Sequence, residues 1–325
     1  MIIDSPRQLL AAIPHLIGFH PDQSLVLVLL QDQQVRAIVR LDSQDVGQLT
    51  ELPAPLNQQT STDNSDQGFV AVAYVEDLEA AQATTEHLEK LARQAGLPIL
   101  DLLLVKNNAW RSLMCTDLDC CPEEGHSLSN SVPDIDAQFV FAGSAPFESR
   151  EHMEESLTSR HLGDLEAQRD EAFAHIAEPA KSTPTEMSDA VITIFDRMSD
   201  LRQFTFHEMA DLVRLLSAVR SRDAFLRKLF DNPDSRAQVR AHLVTVISTI
   251  PTNHIPPVAT VLAGCAWLDG NGALARVALD RALNIDETYS LARLLDMALS
   301  HGVPPHVWSD SLQAVSYEQC LQGAA

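Results

Sequence analysis

The sequence predicts an α+β protein, with a mixed α/β sheet domain over residues 1–147 and an all-helical domain over residues 148–325. Two observations support this prediction. Before residue 147, short apolar runs alternate with turn residues and with one long helical pattern, which is typical of a sheet with a helical crossover. After residue 147, apolar residues recur at helical spacing and are separated by capping residues and prolines.

The chain begins with a helix and a hairpin. Ser5 and Pro6 form a helix-start signal, and the apolar stripe behind them ends near Gly18, where a left-handed residue is easily accommodated. The apolar run Leu25–Leu30 reads as a buried strand, and Val35–Leu41 alternates well enough to return as its antiparallel partner.

A strand–helix–strand unit follows a polar stretch. Residues 53–68 contain almost no apolar side chains, so the sequence predicts a long loop there. The segments Phe69–Val75, Leu78–Ala95 and Ile99–Val105 then read as strand, helix and strand. A crossover that joins two parallel strands is the natural arrangement for such a unit.

The last hundred residues contain a repeat-like pattern. Val258–Leu268 and Ala273–Leu283 read as two helices joined by a short glycine-containing turn, and alanines on the second helix would let the pair approach closely. This pattern resembles a tetratricopeptide-like helical hairpin. One unit does not make a peptide-binding stack, and a plain helical bundle with a small-residue interface explains the pattern equally well.

Composition limits the classes of partner and location. The 325 residues include 45 acidic and 23 basic side chains, for a net charge of −22, which disfavours nucleic acid and anionic lipid. No apolar run reaches the roughly 20 residues that a membrane span needs, and the N-terminus lacks a signal-peptide pattern. An odd number of cysteines favours a reducing compartment. The sequence therefore predicts a cytoplasmic protein with a protein partner.

The densest group of reactive side chains follows the predicted strand Ile99–Val105. It is the cysteine loop, residues 115–125, in which Cys115, Cys120 and Cys121 would offer three thiolates to zinc. A reversible disulfide and a purely structural role are the alternatives. The candidates for a fourth zinc ligand are Asp117, Asp119, His126 and the distant His20. The spacing is not one of the standard zinc patterns, so the three interpretations stay open.

Further candidate site residues lie around the same stretch. They are His20 at a helix-to-strand junction, Trp110 and Arg111 just before the cysteine loop, and Asp117 within it. Phosphate-loop, dinucleotide-binding, zinc-protease and serine-hydrolase motifs are absent from the sequence, so it identifies no catalytic or cofactor-binding residue.

Two motifs together resemble one protein family. The first is Leu10-x-x-Ile13-Pro14-x-Leu16-x-Gly18-Phe19-His20-Pro21-x-x-Ser24-Leu25-Val26. The second is Trp110-Arg111-Ser112, Cys115, Cys120-Cys121-Pro122 and Gly125. The pattern resembles the actinobacterial family known as domain of unknown function 4192. The resemblance implies no activity, but it makes His20 and the cysteine loop shared features.

Two hypotheses for function follow. The first is a non-catalytic cytosolic interaction or regulatory protein, in which the helical half docks a partner. The second is a metal- or thiol-dependent enzyme, either a hydrolase or a redox enzyme, with a site formed by His20, Arg111 and the Cys115–Cys121 segment. The second hypothesis requires these side chains to meet around a pocket.

Overall fold

The protein was analysed as a computed structural model, in which the chain divides into two compact units, Met1–Arg150 and Glu151–Ala325. The structure describes residues 2–57, 67–128, 135, 137–139, 144–174, 176, 182–198, 200 and 202–323. A mixed sheet occupies the first unit and helices fill the second. The predicted α+β fold class is therefore confirmed.

The first unit contains helices and strands in mixed order. Its elements are α1 (Pro6–Ile17), β1 (Ser24–Gln31), β2 (Gln34–Asp42), α2 (Ala54–Asn57), β3 (Gln67–Tyr74), α3 (Leu78–Ala95), β4 (Ile99–Lys106), β5 (Ala109–Ser112) and β6 (His126–Ser127). Within the described residues the strands form one sheet in the order β2-β1-β3-β4-β5-β6. Of the strand pairs in this described sheet, β3 and β4 form the parallel one, and α3 makes the crossover between them, as the sequence predicts.

Left-handed residues set the two tight hairpins. Asp32 and Gln33 join β1 to β2 with φ values of 50° and 62°, and Asn107 and Asn108 join β4 to β5 with 50° and 57°. Two successive residues with positive φ match the twist of the flanking strands. The sequence predicts this second turn at Asn107 and Asn108 and a strand after it that includes Leu113 and Met114, whereas β5 covers Ala109–Ser112 and ends before them.

The main core of the first unit lies between α3 and one face of the sheet. Alternate strand residues such as Leu27, Ala71 and Leu102 point into it because side chains on a strand alternate between faces. Leu88 and Leu91 fill it from α3. Alternation and helical spacing therefore agree on one apolar layer, which fixes the register of the central strands.

The polar loop predicted at 53–68 is shorter than expected. Its first part forms α2, and Leu56 within α2 is fully buried in the core. Its last two residues, Gln67 and Gly68, already belong to β3. Residues 58–66 lie outside the described part of the chain. Leu56, directly after Pro55, anchors the start of this segment, because burying it removes a large apolar side chain from water.

The second unit is helical. Its helices are α4 (Arg150–Ser156), α5 (Glu166–Phe173), α6 (Pro184–Met198), α7 (Phe206–Ser217), α8 (Val219–Asp231), α9 (Arg236–Ile247), α10 (Ile255–Leu268), α11 (Gly272–Leu283), α12 (Ser290–Ser300), α13 (Pro305–Gln313) and α14 (Tyr317–Gln322). Of the helices that the structure describes, none combines the length and the apolar character needed to cross a membrane.

Helices α10 and α11 form the hairpin that the sequence suggests. Every residue of α10 from Ile255 to Trp267 is buried, and Ala278 and Ala282 on α11 are fully buried beside it. Asn271 caps α11 by accepting a hydrogen bond from the backbone N–H of Leu274 at 3.0 Å. Small side chains at this interface permit close packing. The tetratricopeptide resemblance of this hairpin stays a prediction.

Candidate functional site

The fold brings the three loop cysteines together. The sulfur atoms of Cys115, Cys120 and Cys121 all lie within 4.8 Å of one another. Cys120 is exposed, whereas Cys115 and Cys121 are half-buried. Among the residues that the structure describes, these three form a group of potential metal ligands, and no histidine or carboxylate joins them.

A serine at the end of β5 holds the start of the cysteine loop. The hydroxyl of Ser112 accepts hydrogen bonds from the backbone N–H groups of Met114 and Cys115, each at 3.1 Å. The same hydroxyl donates to Asp101 Oδ1 at 2.6 Å, and that oxygen also accepts from Leu102 N at 2.7 Å. The first cysteine is therefore positioned by a chain of hydrogen bonds that begins in β4.

Sequence reasoning missed this support. Asp101 lies inside a run that reads as a buried strand, and an ionisable residue there needs a partner. Ser112 is buried, at 9% exposure, and directly follows Arg111. A carboxylate within an apolar strand was the available signal, although the sequence alone does not say which neighbour satisfies it.

The loop is also closed from within. The backbone N–H of Cys121 donates to the carbonyl of Asp117 at 2.7 Å, which folds the second half of the loop back toward Cys115. Gly125 ends it with φ of 78°, and a Cβ at that position would lie 2.8 Å from the carbonyl oxygen of Trp110. Only glycine fits both the dihedral angle and the close approach.

Trp110 in β5 and His126 in β6 lie side by side on the strands that flank the cysteine loop. They face each other across the β5–β6 pair, with ring centroids 4.8 Å apart. His126 Nε2 donates to the carbonyl of Cys120 at 2.8 Å, which ties the loop to β6. The indole Nε1 of Trp110 is buried without a hydrogen-bond partner among the described residues.

The neighbouring thiols change the acidity of Cys120. Hydrogen bonds with Cys121 and Cys115, together with charge repulsion between the three sulfurs, raise the pKa of Cys120 to about 11. A thiol with a raised pKa is a poor nucleophile because the thiolate is the reactive form. The arrangement therefore suits a shared ligand group better than a single activated cysteine.

The donor set fits a thiophilic metal ion. Two sulfurs bound to one ion at about 2.3 Å lie roughly 3.8–4.0 Å apart, so the 4.8 Å limit needs only small side-chain rotations. Cys115, Cys120 and Cys121 would hold such an ion, and sulfur-only donor sets favour soft or borderline metals.

The other predicted site residues are spread more widely. Arg111 lies in β5 and reaches the carbonyl of Glu123 at a long 3.5 Å. Asp117 Oδ1 accepts from the backbone N–H of Asp119 at 2.9 Å, so it shapes the cysteine loop. His20 is exposed before β1, and its backbone N–H donates to Phe147 at 3.0 Å.

His20 is not brought to the cysteine loop. Strands β3 and β4 stand between β1 and β5 in the sheet, so three strand spacings, roughly 14 Å in all, separate the two regions. The convergence that the enzyme hypothesis requires is therefore not found. The strand order is the physical reason, since it inserts two core strands between the elements that carry these residues.

A small cavity lies elsewhere in the first unit. It has a volume of about 190 Å³ and is found where β3 ends and α3 begins, with Ser24, Ala73 and Asp77 among its lining residues. Neither His20 nor any of the loop cysteines lines it. It is smaller than the roughly 300–1,000 Å³ typical of ligand pockets, and it does not extend the cysteine site.

The arginine-rich segment from residue 214 to 240 is largely paired. Its ion pairs are Arg214–Asp211, Arg222–Asp223, Arg227–Asp231, and Arg236 and Arg240 with Asp269. Charges neutralised in this way contribute little attraction for a phosphate backbone. The segment is thus better explained as a set of helix-stabilising ion pairs.

Comparisons with known proteins place the chain in a family without assigning it an activity. Searches of curated proteins and of solved structures found no match. A family model described as "Domain of unknown function (DUF4192)" matches residues 6–306, nearly the whole chain, including the cysteine loop and His20. The chain therefore belongs to the DUF4192 family, as the residue motifs at both ends of the sheet unit predict.

Proposed function

We propose that the protein is a non-catalytic interaction or regulatory protein of the cytosol. Its cysteine loop binds a thiophilic metal ion, and its helical half docks a protein partner. The observation that carries the proposal is the convergence of three thiols within 4.8 Å on a loop braced by Ser112 and His126. Unpaired cysteines throughout the chain support a reducing compartment.

Exposed apolar side chains support the docking role of the helical half. Leu294 and Met297 lie three residues apart on α12 and are 57% and 55% exposed. Residues at this spacing share one helix face, and an apolar pair on a helix surface is a typical anchor for a partner. The acidic net charge and the paired arginines favour a protein over nucleic acid.

Metal analysis tests the metal-binding part. The full chain is purified under reducing conditions, and its metal content is measured by mass spectrometry alongside thiol titration. The expected result is about one ion per chain, lost in Cys115→Ser and Cys120→Ser. Cys320→Ser, which changes a buried cysteine of the second unit, is the matched control and keeps the ion. Metal-free protein with all five thiols titratable after unfolding contradicts the proposal.

A double substitution tests the docking part. Leu294→Glu with Met297→Glu places two charges on an exposed face, so the fold is expected to tolerate it. A partner that copurifies with the wild-type chain in a fixed ratio should be lost from the variant. Equal recovery of that partner with both chains would place the docking surface elsewhere.

A further inference from the structure

We propose that the cysteine loop is a three-coordinate, all-sulfur site for copper(I). The inference rests on the proposed function, because it names the ion that the same three thiols take. It goes further by fixing the number of protein ligands and the oxidation state of the metal. Copper stays monovalent throughout, and each thiol that binds it releases its proton to solvent.

The ligand count is the first argument. Zinc in structural sites takes four ligands, whereas the described residues supply three. The nearest alternatives already have other roles. Asp117 Oδ1 accepts a hydrogen bond from the backbone N–H of Asp119, and the Asp117 carbonyl accepts one from the backbone N–H of Cys121. His126 Nε2 donates to the Cys120 carbonyl, and no ring nitrogen of His126 belongs to the group formed by the three sulfurs.

The chemistry of the donors is the second argument. All three ligand atoms are sulfur, and soft thiolates favour copper(I) and zinc over the harder divalent ions, so the number of ligands decides between these two. A closed-shell monovalent ion has no need of a fourth ligand to complete a tetrahedron. Three sulfurs about one ion lie roughly 4 Å apart, which the observed limit of 4.8 Å nearly meets.

The support of the loop is the third argument. Ser112 fixes the backbone at Cys115, and the Asp117 carbonyl fixes it at Cys121, so backbone hydrogen bonds help to hold the three thiols near each other before an ion binds. A site that is already assembled loses less conformational entropy when the ion binds. Cys120 is exposed, so a donor of copper(I) can reach it.

The test is a competition for copper(I) under anaerobic, reducing conditions. Metal-free full-length protein is titrated against a coloured copper(I) chelator, and X-ray absorption of the loaded protein gives the number of sulfur neighbours. We expect about one copper(I) per chain with three sulfur ligands. Cys115→Ser and Cys121→Ser should each lower the affinity by more than about 100-fold, and Cys320→Ser should leave it unchanged.

The outcomes separate this inference from the broader proposal. Zinc or cobalt(II) bound with a tetrahedral signature, together with copper(I) affinity that is equal in wild type and Cys115→Ser, overturns the copper site but leaves a metal site standing. Two sulfur neighbours per copper ion, or a stoichiometry that survives loss of Cys121, also overturns it. Binding of none of these metals overturns the metal function itself.

Discussion

Cysteine has two different settings in this protein. Cys265, on α10, is fully buried, and burial raises the pKa of its thiol to about 12. The nearest polar atom recorded for its sulfur is the carbonyl oxygen of Arg236, at 3.8 Å. The loop cysteines, Cys115, Cys120 and Cys121, instead contact one another at a surface that solvent reaches.

The difference shows what positions each thiol. Cys265 is held by the packing of a buried helix, as a small hydrophobic residue would be, with one weak hydrogen bond to the Arg236 carbonyl. The loop cysteines are positioned by backbone hydrogen bonds to Ser112 and Asp117, and their sulfur atoms lie against one another near solvent. Substitutions should therefore affect folding in the first setting and ligand binding in the second.

The largest effect is expected from removing a core side chain beside Cys265. Leu262 is fully buried on α10, so Leu262→Ala should lower the free energy of unfolding by about 2–5 kcal/mol. Leu118→Ala, in the cysteine loop, removes a side chain that is 63% exposed and should change it by less than about 0.5 kcal/mol. Urea unfolding measures both, and equal losses would contradict the contrast.

A direct exchange of sulfur for oxygen compares the two settings. Cys265→Ser places a hydroxyl in an apolar environment and should cost about 1–3 kcal/mol of stability. Cys120→Ser should leave the stability of the metal-free chain within about 0.5 kcal/mol, because Cys120 is exposed. Urea unfolding measures both changes in stability. A destabilised Cys120→Ser variant would mean that the cysteine loop is needed for folding.

Glycine substitutions examine the backbone of the loop. Gly125→Ala and Gly96→Ala both place a side chain at positive φ, which costs about 1–2 kcal/mol. Gly125→Ala should cost more, because its Cβ would also lie 2.8 Å from the Trp110 carbonyl, whereas nothing lies within 4 Å of the Cβ at Gly96. Urea unfolding followed by fluorescence gives the two values. Equal costs would show that the loop backbone moves away from the new Cβ without losing stability.

The smallest effect concerns acid stability of the helical unit. An ion pair with Arg197, aided by hydrogen bonds from Thr205, lowers the pKa of Glu208 from 4.5 to about 2. Because the folded pKa is depressed, its stabilisation is complete above about pH 4.5 and is lost as the pH falls through 2. The carboxylate is partly exposed, so solvent screening leaves roughly 1 kcal/mol.

Glu208→Gln should remove this contribution. The variant is expected to lose less stability than the wild type between about pH 5 and pH 2, as circular dichroism during urea unfolding would show. Asp211→Asn is the matched control, since the Asp211–Arg214 pair is exposed on the same helix. Identical acid profiles for Glu208→Gln and wild type would mean that the Arg197 pair contributes nothing.

Much of the fold follows from local patterns. A continuous apolar run gives β1, an apolar segment gives β3 and helical spacing gives α3, and the first helix begins at Pro6 after the Ser5 cap as predicted. These signals lie within a few residues of the structure they determine. The asparagines at 107 and 108 likewise indicate the turn between β4 and β5, where both have positive φ.

The geometry of the site depends on contacts that local patterns do not contain. The spacing of the cysteines suggests a shared ion, but their convergence depends on Ser112 and on Asp101, which arrives from another strand. The separation of His20 from the loop follows from strand order alone. Strand order is set by the packing of the whole layer, and a short motif carries no information about it.

Strand β6, which follows the cysteine loop, also affects the edge of the sheet. In the part of the chain that the structure describes, β6 pairs with β5 at Ala109 and Trp110, so it covers two residues at the outer edge of β5. An open edge presents unpaired amide and carbonyl groups to which a strand of another molecule can add. The segment that ends in β6 therefore shields this part of the sheet from pairing with a second molecule.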